Sequence, residues 1–135
     1  MESQIKPWGS YEVLYEDENC KVKKLVVKPR QKLSLQYHYR RQEHWTCVSG
    51  VAEVFVGNQT GYMYPHDDIM VPYHANHQIA NPSETDDLVI IEVQTGEYFG
   101  EDDIVRLEDP HDRVDEQPQP QQVTEAAPVP ELGQL

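Results

Sequence analysis

The residues best able to do chemistry are concentrated in one stretch, LSLQYHYRRQEHWTCVSG at positions 33–50, which brings Gln36, His38, Glu43 and His44 close together. If 33–38 is extended, side chains alternate between faces. Gln36 and His38 then share a face with Ser34, while Leu33, Leu35 and Tyr37 take the other. A short polar connection at 39–42 leads to Glu43 and a second run at 44–49. Two adjoining strands can thus aim nitrogen and oxygen donors at one point, and divalent metals accept imidazole with carboxylate. The same spacing also fits a polar strand end with two histidines at a sheet rim. Arg40 and Arg41 place two cations beside the stretch.

Holding such donors in register requires strands, and the rest of the chain reads as strands. Residues 10–15 form a short candidate after the turn-like Pro7-Trp8-Gly9. Residues 21–28 read as a partly edge-like strand, since the lysines among Val22, Leu25, Val26 and Val27 would blunt edge pairing. Residues 51–56 alternate, and GNQTG at 57–61 is a hairpin connection. Short strands follow at 62–64, 69–71 and 77–80. The run 88–94 puts Val89, Ile91 and Val93 on one face and Ile90, Glu92 and Gln94 on the other. Residues 1–6 read as a loose end. Residues 101–107 read as a helical turn whose acids, Glu101, Asp102 and Asp103, form a solvated face at the positive end of its dipole. Many short strands between turn signals, with no long amphipathic helix, indicate an all-β sandwich or barrel.

A chain of 135 residues suffices for one domain with a real core. Its net charge of −13 argues against nucleic acid or an anionic membrane as partner. An anionic small substrate stays open, because a site needs only a few local cations. Cys20 and Cys47 have no metal-pair spacing, and Cys47 reads as a buried thiol in an apolar run. The polar start and the lack of a long apolar run lead us to expect no signal peptide, no membrane helix and a cytoplasmic location. The domain is expected to span 1–113. From 114 to 135 the chain is acidic, rich in Pro and Gln and without aromatics. It is expected to be a disordered tail.

Beyond the central stretch, the pattern Gln36-x-His38-x4-Glu43, then Gly50, then Pro72-x4-His77-x3-Asn81 resembles the two-part cupin signature. Where cupins usually have a glycine two residues after the proline, this chain has His74. A closer resemblance is carried by Lys6-Pro7-Trp8-Gly9-Ser10-Tyr11-Glu12-Val13-Leu14, Leu33-Ser34-Leu35-Gln36, Glu43-His44-Trp45, Asn81-Pro82 and Glu92-Val93-Gln94-Thr95-Gly96-Glu97-Tyr98 with Gly100-Glu101-Asp102-Asp103-Ile104. Together these resemble the type II mannose-6-phosphate isomerase family, also known as the C-terminal cupin domain of bifunctional mannose-1-phosphate guanylyltransferase/mannose-6-phosphate isomerases. The resemblance runs from about Lys6 to Arg113.

It implies a double-stranded β-helix, the cupin jelly-roll barrel. It also implies a metal-dependent interconversion of mannose 6-phosphate and fructose 6-phosphate, feeding nucleotide-sugar and polysaccharide synthesis. The implied metal ligands are Gln36, His38, Glu43 and His77, a set that suits Zn, Mn or Fe alike. Arg41 and Arg106 are the candidates for the phosphate. The proton-transfer base is either His44 or Glu92, with Glu53 also in reach. His44 has the right type but the wrong parity, since it should point outward if Glu43 points in. Trp8, Tyr11 and Trp45 are expected to pack, and His66, His74 and His111 fall outside the metal set. No Gly-rich nucleotide loop is present, so no nucleotidyl transfer is expected. Departures from the family pattern include Gln78, where an arginine usually follows the second-motif histidine. Further departures are Arg30 for the usual glycine, Tyr39 and Arg40 for histidines, and Pro110-His111-Asp112 before Arg113. A non-catalytic sugar-phosphate or metal-binding module and another metal-dependent cupin enzyme are the alternatives. Pairing through the N-terminal strand or the 21–28 strand would give a homodimer.

Overall fold

A computed structural model describes residues 2–108. The expected tail at 114–135, the departures at 110–113 and His111 lie outside the described residues. The chain forms β1 (Ser3–Lys6), β2 (Gly9–Glu16), β3 (Cys20–Val27), β4 (Leu35–His38), β5 (Arg41–Ser49), β6 (Ala52–Val56), β7 (Gln59–Met63), β8 (Asp68–Val71), β9 (His77–Ala80) and β10 (Leu88–Gly96). A 3-10 turn at Glu101–Asp103 then leads to β11 (Ile104–Glu108). A six-stranded sheet in the order β1-β2-β3-β10-β5-β8 faces a five-stranded sheet in the order β11-β4-β9-β6-β7. The chain passes back and forth between the two from β4 onward, and every pairing is antiparallel. This is the double-stranded β-helix.

Period 2 decides what lies between the sheets. Val27 of β3 is aligned with Leu88 of β10, and Leu25 of β3 with Ile90 of β10 and Cys47 of β5; all are buried, as is Trp45, the next inward residue of β5. The same inward rows then turn polar toward one end of the barrel. β3 continues to Lys23, β10 to Glu92 and Gln94, and β5 to Glu43 and Arg41. On the opposite sheet β9 passes from Ile79 to His77, and all these polar residues are buried. The apolar part of each strand supplies the burial that holds the fold. The polar part lines one end.

Several expectations change. Residues 3–6 are a strand, not a loose end: Ile5 is exposed, but the backbone of β1 pairs with β2 from Ser3↔Glu12 to Lys6↔Gly9. β3 is not an edge, since it sits between β2 and β10 and one of its lysines faces inward. Leu33 precedes β4 and escapes strand parity. Its N–H donates to the Ile79 carbonyl at 3.0 Å, and its side chain packs against the core. The 101–107 helix reduces to a single 3-10 turn. Asp103 there is buried, not solvated, and its carboxylate accepts from the Tyr39 and Arg40 amides at 3.3 and 3.0 Å, pinning the β4–β5 turn. His74 occupies the family's glycine position with φ 66°, so this backbone does adopt the left-handed conformation that favours glycine. Its N–H donates to the His38 carbonyl at 2.8 Å, tying the loop before β9 to the end of β4. Gly96 has φ 151°, and a Cβ there would run into the Arg40 carbonyl and stand 2.8 Å from the Arg41 Cα. That close approach brings the end of β10 against the start of β5.

Candidate metal centre

Glu43 lies at the middle of the polar end. Its carboxylate is 3.1 Å from His38 Nε2 and 3.8 Å from His77 Nε2. One ligand atom from each of His38, Glu43 and His77 lies within 4.8 Å of the others, and all three side chains are buried. The rings of the two histidines are 4.9 Å apart. Gln36 stands directly opposite His77 across the β4–β9 pair, and directly opposed residues share a face. Its amide nitrogen donates to Ser34 Oγ at 2.9 Å, which turns the amide oxygen into the end able to meet a cation.

The local hydrogen bonds suit a metal. His77 Nδ1 lies 3.0 Å from the Ala75 carbonyl, so Nδ1 carries the proton and Nε2 offers its lone pair to the cluster. Burial lowers the His77 pKa to about 4, outweighing the attraction of Glu43, so the ring is held in its neutral, ligating form. Burial pushes the Glu43 carboxyl up, but His38, His77 and Arg41 together hold it well below the usual carboxylate range. Trp45 Nε1–H donates to its Oε1 at 3.0 Å. His38 Nδ1 is buried and has no hydrogen-bond partner among the described residues. An ionised carboxylate flanked by two imidazoles, with Gln36 lining the same cavity, is a donor set for a divalent cation, so the residues fit the implied metal.

Arg41 is only 3% exposed. Its Nε donates to Glu43 Oε2 at 3.4 Å, and its Nη2 stands 3.5 Å from His38 Nε2. Position 41 is the first residue of β5, not part of a loop, which is why the arginine points in. Arg106 reaches the cavity because β11 replaces the expected helix and pairs Arg106 with Gln36.

Glu92 and Gln94 share the inward face of β10, as their alternation indicates. Gln94 Nε2 donates to Glu92 Oε1 at 2.6 Å. Burial and then the charge of Glu43 raise the Glu92 pKa to about 8, against a smaller opposing pull from Lys23. His44 is a correction. It lies on the outer face of β5, half exposed, with Nε2 2.6 Å from Asp68 Oδ2, and it does not line the cavity. No bulge reverses its parity, because β5 pairs β8 in unbroken register from Glu43 to Thr46. Glu53 is likewise exposed on β6, with Tyr62 donating to it. Gln78 points to the backbone, donating to the Leu33 carbonyl at 2.8 Å.

The cavity measures about 70 Å³. One water needs roughly 10–15 Å³ by the same measure, so an ion fits with part of its hydration shell. The sequence reading overlooked two of its lining residues, Lys6 and Lys23. Extending the Leu25, Val27 alternation back by one step would have placed Lys23 inside.

The chain matches the family described as Mannose-6-phosphate isomerase C-terminal over residues 2–109. It is 44% identical over 111 residues to the alginate biosynthesis protein AlgA of Pseudomonas aeruginosa, covering 82% of this chain and 23% of that protein. It is 40% identical over 105 residues to a mannose-1-phosphate guanylyltransferase of Sinorhizobium fredii, covering 78% of this chain and 20% of the relative. The chain thus spans about a fifth of the length of these curated relatives. Among solved structures, a cupin-2 domain of Rhodospirillum rubrum superposes with a TM-score of 0.61 at 19% identity, covering 70% of this chain and 67% of that one. That likeness shows the fold. With the matched region covering every described strand, the chain belongs to the mannose-6-phosphate isomerase C-terminal family.

Proposed function

We propose that this domain is a metal-dependent aldose–ketose isomerase that interconverts mannose 6-phosphate and fructose 6-phosphate. The observation that carries the reading is one cavity holding two unlike buried carboxylates. Glu43 is held ionised between two imidazoles, while Glu92 beside it is held protonatable near neutral pH. Environments that push two acids apart in this way are how one site separates a ligating role from a proton-transfer role.

In this reading Gln36, His38, Glu43 and His77 hold the cation. Bound there, Zn, Mn or Fe would act as a Lewis acid toward the sugar oxygens. Glu92 is the base: its carboxylate takes the proton from C2 of the aldose while O1 gains a proton, giving the enediol, and returns it to C1 while O2 loses its proton to give the ketose. A pKa of about 8 suits that task, since the group must both accept and release a proton near neutral pH. Gln94 fixes the orientation of that carboxylate through its 2.6 Å hydrogen bond. Arg41 neutralises negative charge at the Glu43 end, and Arg106 adds a second cation for substrate oxygens. The product supplies sugar phosphate for nucleotide-sugar and polysaccharide synthesis. The guanylyl transfer named for the relatives is not proposed for these residues.

Proton NMR in D2O tests the reading. Metal-loaded protein incubated with mannose 6-phosphate should form fructose 6-phosphate and place deuterium from solvent at the carbons that exchange the proton. Binding of the sugar phosphate with neither conversion nor exchange would replace the isomerase with a non-catalytic binding module.

A further inference from the structure

Lys23 is 6% exposed and faces inward from β3, directly opposite Glu92 of β10. Among the described residues no carboxylate forms an ion pair with it. Its ammonium instead lies over the face of Tyr11, 4.3 Å from the ring centroid. Lys6 brings a second ammonium to the same ring at 5.7 Å, and both lysines line the cavity that contains Glu43, His77 and Glu92. Glu92 attracts the Lys23 ammonium without a direct ion pair; a buried ammonium lacking such a pair is costly, and an aromatic face offsets only part of that cost. A buried and a half-buried cation converging on one ring in a polar cavity form a place for an anion.

We propose that Lys23 and Lys6 form the phosphate subsite of this cavity. The phosphomonoester dianion sits against Tyr11, and the sugar runs from there across β10 to the His38, Glu43 and His77 cluster. This rests on the reading that the cavity takes a sugar phosphate. Neighbouring strands lie about 4.8 Å apart. β10 separates β3 from β5, so the two ends of the site are about 10 Å apart by the same spacing. That is the reach of an open-chain hexose phosphate from its carbonyl end to its phosphorus. Glu92, on the strand between, lies beside the carbons and not beside the phosphate.

The arginines occupy the other end. Arg41 is committed to Glu43 and His38, and Arg106 is registered with Gln36, itself opposite His77. Glu101 also lines the cavity near Tyr11, and its negative charge keeps the dianion on the Lys23 side of the ring.

The test is calorimetric binding of mannitol 6-phosphate, which has no carbonyl and cannot turn over, to the full metal-loaded chain. The variants are Lys23→Met, Lys6→Gln and Arg106→Gln. Both lysine variants should weaken binding at least tenfold, about 1.4 kcal/mol, with metal stoichiometry and circular dichroism unchanged. Arg106→Gln should have the smaller effect. Lys6 is partly exposed, so Lys6→Gln decides the matter if Lys23→Met does not fold. Binding within twofold of the parent chain in a folded lysine variant overturns the subsite, as does a larger loss from Arg106→Gln. Turnover of mannose 6-phosphate is measured separately. A chain that does not turn over but loses mannitol 6-phosphate with the lysines keeps the subsite and loses the isomerase reading. A chain that turns over with lysine-independent binding does the reverse.

Discussion

Replacing Glu43 by glutamine keeps the shape of the side chain and removes its charge. In the metal-stripped protein this leaves Arg41, 3% exposed, beside an amide where its Nε had a carboxylate at 3.4 Å. Removing one partner of a buried ion pair costs roughly 3–5 kcal/mol. The glutamine oxygen can still accept from Trp45 Nε1, now 3.0 Å from Glu43 Oε1, so the low end, about 3 kcal/mol, is expected. At roughly 4 °C per kcal/mol for a domain of this size, Tm should fall by about 12 °C. The sign follows from the depressed pKa of Glu43: the folded state prefers the ionised form, so a neutral mimic must destabilise it. The same linkage fixes the pH window. The contribution is present above the ordinary glutamate pKa of about 4.3 and is lost as pH falls through the lower folded value. Thermal unfolding followed by circular dichroism, at pH 7 and again below pH 4, reads both effects. In an Arg41→Met background, Glu43→Gln should cost less, because no guanidinium is stranded. A metal-stripped Glu43→Gln protein as stable as the parent chain at pH 7, or an undiminished cost in the Arg41→Met background, would refute the electrostatic account of the cluster.

Glu92→Gln should lower kcat by roughly 10²–10⁴ and abolish the rise of rate with pH that a carboxyl raised by burial gives the parent, read from a pH–rate profile of the two proteins. His44→Ala should leave turnover unchanged and cost at most about 1 kcal/mol, because its contact with Asp68 is an exposed surface pair; a large loss of kcat would return His44 to the mechanism. His77 has a folded pKa of about 4 against an ordinary 6.5, so the unfolded chain binds its proton first as pH falls. Metal-stripped protein should then lose about 3 kcal/mol from this group between about pH 6.5 and 4. Urea unfolding of the parent and His77→Gln proteins should show their stabilities converging over that range.

The sequence conveyed the barrel and most of its strands because period 2 and turn residues are local signals. Val89, Ile91 and Val93 against Ile90, Glu92 and Gln94 sort to opposite faces as their alternation requires. The convergence of His38, Glu43 and His77 was legible through the family resemblance, since spacing within 33–50 could not decide between a ligand set and a sheet rim. Strand β1 was not legible: its side chains are largely exposed, and it is held by backbone pairing that leaves no hydropathy pattern. Lys23 was misjudged because lysine suits a strand edge, and only the sheet order places β3 in the interior. Arg41 and Arg106 turned on element boundaries, one on where β5 begins and the other on a strand where an acidic helical turn was expected. Parity alone placed His44 outside, and the unbroken β5–β8 register leaves it there.

The central claim, a metal-dependent isomerase centre at His38, Glu43 and His77, is tested most directly by a coupled assay of mannose 6-phosphate turnover on the full chain. The protein is stripped with EDTA and then reloaded with Zn, Mn or Fe, alongside His38→Ala and His77→Ala. Turnover that disappears on stripping, returns with one of these metals and is absent from both variants is the predicted result. Metal-loaded protein that turns over no mannose 6-phosphate, or turnover indifferent to EDTA and to both substitutions, would contradict it.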